Sequence, residues 1–103
     1  MVANPKRPKP LRDKAYRLAV TEMPCILTGT MPCDPAHIRY GFFAKGVKPG
    51  DDLILPLSAN LHRLQHAIGE KRFWLTHVTP ETLMEAIKAL ARERYATWKL
   101  ANT

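Results

Sequence analysis

Prolines and glycines crowd the middle of this chain, and their placement rules out a continuous helix there. Residues 24–36 (PCILTGTMPCDPA) hold three prolines and a glycine, and residues 41–52 (GFFAKGVKPGDD) form a glycine-rich basic loop. Proline lacks the backbone donor and glycine is costly to order, so such stretches suit turns and short extended pieces. His37-Ile38-Arg39-Tyr40 reads as one short strand and Leu53-Ile54-Leu55-Pro56-Leu57 as a second. Helices are left to the flanks. Residues 11–23 read as a helix with Leu11, Ala15, Leu18 and Ala19 on one face, ended by Pro24. Asn60 can cap a helix over residues 61–68, with Gly69 just past its end. Residues 70–78 are ambiguous. Thr79-Pro80-Glu81 is a start signal for a long C-terminal helix, along which Leu83, Met84, Ile87, Leu90, Ala91, Tyr95 and Trp98 recur at three- and four-residue steps.

The chain has 103 residues, enough for one domain over residues 11–103 behind a flexible basic, proline-rich arm over residues 1–10. With 46% hydrophobic residues it is not globally disordered. Its apolar runs are far too short to span a bilayer, so no membrane partner is expected. The start carries no apolar stretch of the secretory kind, and a cytoplasmic protein is expected. The formal net charge is +7, of which the six basic and two acidic residues up to Glu22 supply +4. That balance favours a polyanion, bound through phosphate contacts and counterion release.

His62 and His66 stand at i and i+4 on an expected helix, a spacing that presents two imidazoles on one face, able to hold one cation. Histidines four apart are more often plain surface residues, so the context decides. His37 opens the first strand, the basic loop and second strand follow, and then comes the helix with the pair. From Pro24 to Trp74 the chain resembles the HNH (ββα-metal, His-Me finger) nucleases, especially phage proteins of the Ref, or recombination enhancement function, type. The resemblance lies in Pro24-Cys25, AHIR at Ala36 to Arg39, KPGD at Lys48 to Asp51 followed by Asp52, LPL at Leu55 to Leu57, LHRLQH at Leu61 to His66 and GEKRFW at Gly69 to Trp74.

The resemblance implies an α+β fold, a ββα-metal core flanked by an N-terminal helix and a long C-terminal helix. It implies metal-dependent hydrolysis of DNA phosphodiesters, in phage recombination or DNA processing. His37 falls at the general base that activates water, Asp52 at the position that orients that base, and His62 and His66 at the metal-binding helix positions. One divalent ion is expected (magnesium, manganese, nickel or zinc). The partners implied are DNA and, as for the Ref-type proteins, a recombinase-coated DNA filament. The chain departs from the pattern where many members carry an acid or histidine immediately before the base, since that residue is Ala36. Either His62 and His66 suffice with water and substrate oxygens, or His37 is itself a ligand. Relatives also brace the fold with two CxxC knuckles. The matching positions are Cys25, Thr28, Ser58 and Leu61, so one thiol of four remains and no structural zinc is expected. The missing core must then come from the terminal helices, through Leu18, Ile87, Leu90 and Trp98.

Arg39, Lys45 and Lys48 around the loop, and Arg63 beside His62, are candidate phosphate contacts. Phe42, Phe43, Phe73 and Trp74 are expected in the core, and Glu70 is expected to bond a nearby backbone or basic group. The alternative function is a catalytically degenerate HNH-fold module that binds DNA without cutting it.

Overall fold

Two short strands form the centre of the molecule. In the computed structural model, which describes residues 10–39, 48–77 and 83–103, β1 (Asp34–His37) pairs antiparallel with β2 (Ile54–Leu57). Asp34 lies opposite Leu57 and His37 opposite Ile54. The Ile38 N–H donates to Leu53 O at 2.8 Å, which makes every second pair from there a hydrogen-bonded one. Pro35 and Pro56 face each other at a non-hydrogen-bonded position. Their missing N–H groups therefore point away from the ladder and cost it nothing.

Among the described residues four α-helices surround this sheet: α1 (Lys14–Val20), α2 (Ala59–Ile68), α3 (Glu70–His77) and α4 (Leu83–Ala101). The fold is α+β. Among the described residues no helix is long and apolar enough to cross a membrane. Residues 1–9 of the expected arm, Phe42, Phe43 and Lys45 of the loop, and the start signal at Thr79-Pro80-Glu81 lie outside the described residues.

All four residues of β2 are buried, because each of its faces meets a different cluster. Leu55 and Leu57 join Ala36, Ile38, Phe73, Trp74 and Met84 in the main core. Ile54 points the other way, onto Tyr16 and Val20 of α1, against which Tyr95 and Trp98 of α4 pack. The Tyr16 and Tyr95 rings meet edge-on at 4.8 Å, a contact worth about 0.5–1.5 kcal/mol beyond burial.

Several boundaries differ from the sequence reading. α1 starts later than expected because Asp13 is its N-cap, accepting from the Tyr16 N–H at 3.1 Å. Its buried face is Tyr16 and Val20, not the expected leucine and alanine stripe; Leu11 and Leu18 are 44% and 59% exposed. The aromatic side chain wins the inward position because it meets two further rings on α4. Of the four residues expected to supply the core, Leu18 and Leu90 are exposed, while Ile87 and Trp98 are partly buried. β1 ends at His37 instead of opening there. Ser58, not Asn60, caps α2, and the ambiguous stretch is helix α3. Between α2 and α3 the backbone turns at Gly69, whose φ of 94° suits glycine.

Candidate active site

Strand alternation builds one wall of a cleft of about 480 Å³. Pro35, His37 and Arg39 line it from one face of β1 and its continuation, while Ala36 and Ile38 on the opposite face sit in the main core. The other wall is the exposed side of α2 and the start of α3: His62, Gln65, His66, Gly69 and Glu70. Three expected site residues, His37, His62 and His66, thus share this cleft.

His37 does not meet the carboxylate expected from the sequence. Its Nε2 lies 2.8 Å from Oδ1 of Asp51, not Asp52. Residues Asp51–Leu53 form a 3₁₀ turn, in which successive side chains point about 120° apart. Asp51 faces inward and is completely buried, whereas Asp52 faces α4 and lies 3.8 Å from Arg92. The turn is fixed by the Asp51 N–H, which donates to Leu11 O at 2.9 Å. Gly50 permits that approach, since a Cβ there would stand 3.2 Å from Leu11.

Asp51 accepts from the Asp13 N–H at 2.7 Å, from Arg12 at 3.3 Å, and from Arg17. Burial pushes its carboxyl up, but the Asp13 N–H, His37 and Arg17 outweigh it and hold the group below the usual carboxylate value. An ionised Asp51 only accepts, so His37 must present an N–H at Nε2. In the neutral ring this leaves Nδ1 as the lone-pair nitrogen, and no described protein group bonds it.

On the other wall, His62 Nδ1 lies 3.0 Å from Asp34 Oδ2, and His62 Nε2 lies 3.1 Å from His66 Nε2. Asp34 therefore fixes the His62 tautomer: Nδ1–H donates to the carboxylate and the Nε2 lone pair points outward. Two imidazole nitrogens on one ion, at about 2.0–2.1 Å each, stand about 2.9–3.4 Å apart. The observed separation falls in that interval, so the pair fits a shared divalent cation. Among the described residues no group of three or more His, Cys, Asp or Glu side chains is gathered to hold a metal. The pair would supply two positions of a coordination shell.

Two further polar groups line this wall, and Glu70 meets a nearby backbone N–H as expected. Gln65 is 3% exposed, and among the described residues its Nε2 has no hydrogen-bond partner. Glu70 Oε1 accepts from the Arg39 N–H at 2.7 Å and from Trp74 Nε1–H at 2.6 Å, clamping the start of α3 to the end of β1. Burial raises its carboxyl above the usual value despite these donors. Asp34 and Gln65 could have been found only by their neighbours: Asp34 precedes His37 by three residues, and Gln65 follows His62 by three.

The expected phosphate contacts separate. Arg39 lines the cleft, whereas Lys48 is exposed ahead of the buried Pro49. Arg63 is exposed, turned toward Asn60 Oδ1, and does not line the cleft. Cys25 and Cys33 are free and buried. Burial pushes the Cys25 thiol up, but the Thr28 hydroxyl and the N–H groups of Ser58, Leu27 and Thr28 bring it down to about 7. Ser58 Oγ in turn accepts from the Leu61 N–H at 3.4 Å. Hydrogen bonds thus link the four positions where the resemblance places knuckle thiols. No protein-family model, curated protein or solved structure matches this chain.

Proposed function

We propose that this chain is a metal-dependent endonuclease that hydrolyses DNA phosphodiesters through a ββα-metal centre. One observation carries the reading: an imidazole with its Nε2 held by a buried carboxylate and its Nδ1 open shares a cleft with two imidazole nitrogens facing each other at 3.1 Å. The order β1, β2, α2 supplies these groups in the sequence of a ββα unit.

His62 and His66 would hold the ion, with Asp34 fixing the His62 ring. A divalent cation neutralises charge on the non-bridging and leaving oxygens of a phosphodiester. Two imidazoles suit manganese, nickel or zinc better than magnesium. His37 takes a proton from water at Nδ1, the lone-pair nitrogen left by the bond to Asp51. Arg39 places a positive charge on the cleft wall, where it meets a phosphate. Gln65 offers an amide donor that lacks a partner among the described residues, matched by a phosphate oxygen after rotation of the amide. The net charge of +7 supports DNA as the polyanion.

A degenerate DNA-binding module is favoured by one feature. Ala36, at the position where relatives carry a further ligand, is fully buried and offers no donor atom. The two readings part on supercoiled plasmid with magnesium, manganese, nickel or zinc. The nuclease reading expects cleavage by the wild type and none by His37→Ala, with DNA affinity kept. Equal cleavage by both excludes His37 as the base. DNA binding without cleavage by the wild type establishes the degenerate module.

A further inference from the structure

We propose that Arg17, with Arg12, is a positioning residue for His37: the two guanidinium groups balance the charge of Asp51 and so keep the His37 ring neutral and its Nδ1 lone pair available near neutral pH. The inference rests on the reading of His37 as the base.

A carboxylate bonded to an imidazole does two opposing things. It fixes the ring and the tautomer, which helps a general base. It also draws a proton onto the ring, because a negative neighbour favours imidazolium, and a protonated base accepts nothing. The ordinary histidine value of about 6.5 leaves little room for such a shift at neutral pH. Asp51 is fully buried, so little solvent screens its charge from His37.

The α1 region supplies the counter-charge. Oδ1 of Asp51 takes His37 Nε2 at 2.8 Å and Arg12 Nη1 at 3.3 Å, while Oδ2 takes the Asp13 N–H at 2.7 Å and Arg17 Nη1. Four donors fill the roughly four lone-pair sites of a carboxylate. Two are permanently charged, since guanidinium stays protonated in proteins. The ring therefore meets a carboxylate whose charge is already offset, yet whose geometry still holds it.

The other charged groups around His37 lie on the same turn as Asp51, on the α1 cap and across the cleft. Asp52 on the same turn lies against Arg92 of α4. Asp13 accepts from Tyr95 at 2.9 Å and lies 3.5 Å from Lys99, both on α4. Across the cleft stand Arg39, His62 and His66, and Glu70. Among the described residues the charged group that bonds the ring is Asp51.

The test is a pH titration of the His37 imidazole by NMR, in wild type and Arg17→Gln, in the absence of DNA. Glutamine keeps a donor toward Asp51 and removes the charge. The His37 pKa is expected to rise by about one unit in Arg17→Gln and to stay near wild type in Arg17→Lys. The acid limb of the cleavage profile should move up by the same amount, with kcat restored at higher pH and KM unchanged. Superimposed titrations of wild type and Arg17→Gln overturn the proposal, as does an activity loss that no pH recovers. If Arg17→Gln does not fold, Arg12→Gln removes the half-exposed partner instead. A smaller rise there supports the coupling and no rise overturns it. The titration is read without DNA, so it decides the coupling even for a protein that cuts nothing.

Discussion

The two walls of the cleft are built to different standards of completeness. On the β1 side Asp51 is buried and meets four donors, and the elements that deliver them are themselves anchored: Asp13 by Tyr95 and Lys99, Tyr16 by Tyr95 and Trp98. On the α2 side the Asp34 side chain is 47% exposed, His62 bonds Asp34 and faces His66 across 3.1 Å, and among the described residues the Gln65 amide nitrogen has no partner. On the first wall Asp51 is satisfied by protein alone. The second leaves polar groups whose bonding a metal ion and a phosphate would complete. The most strongly held carboxylate and the proposed metal pair thus lie on different walls, and substitutions should separate them.

The largest effect is expected from the carboxylates that hold the two histidines. Asp51→Ala strips a buried site of its acceptor and leaves Arg12, Arg17, the Asp13 N–H and His37 without it. The expected loss is about 3 kcal/mol, read from urea unfolding. Asp34→Ala removes a partly solvated carboxylate and should cost no more than about 1 kcal/mol. Comparable losses from the two substitutions would erase the distinction between the walls.

Metal affinity should reverse that order. Asp34 fixes the ring that presents Nε2, and loss of such an orienting carboxylate typically weakens a site 10–100-fold. Calorimetric titration with manganese, nickel or zinc should show this for Asp34→Ala. His62→Ala should abolish binding at this site while leaving the unfolding midpoint nearly unchanged, because the residue lines a cleft and not the core. Unaltered affinity in Asp34→Ala would remove Asp34 from the site.

Gln65→Met tests the unfinished wall from the other direction. A buried donor without a partner costs on the order of 1–3 kcal/mol, and methionine keeps the shape without the donor. The variant should be more stable than wild type by about 1 kcal/mol and bind DNA more weakly. A variant that is destabilised and binds DNA normally would make Gln65 a packing residue.

The same contrast explains how much of the molecule was legible in the sequence. Proline and glycine placement gave the β, β, α order, and the i, i+4 spacing gave the His62–His66 face, because both follow from local chain geometry. Phe73 and Trp74 read correctly as core, since large aromatic rings dominate burial. What escaped depends on turn type and long-range contact. Lys48 to Asp52 offers two adjacent carboxylates, and only the 3₁₀ turn decides that Asp51 faces His37. The α1 stripe misled because Tyr16 finds rings 79 and 82 residues away in Tyr95 and Trp98. Arg12 and Arg17 entered only as part of the positive charge up to Glu22, and no local pattern shows that they converge on Asp51 from 39 and 34 residues away.

The smallest effect concerns Glu70, and its sign is opposite to that of Asp51. The folded carboxyl of Asp51 lies below its unfolded value, so its stabilisation is fully present above about pH 3.9 and is lost as pH falls through the folded value. Glu70 is raised in the fold, chiefly by burial, even though Trp74 and Arg39 donate to it. The native state therefore binds more protons than the unfolded chain just above pH 4.3, and stability falls as pH rises through that window. Glutamine can still accept from both donors through Oε1 but does not ionise. Between pH 4 and 6 the Glu70→Gln variant should gain on wild type steadily, while Asp51 contributes a constant amount to both. The gain should be smaller than the other stability changes expected here, because Glu70 is only partly withdrawn from solvent. Urea unfolding of both proteins across that range measures it directly. Parallel curves would show that Glu70 ionises in the fold as it does in the unfolded chain, and the clamp between β1 and α3 would then carry no cost in charge burial.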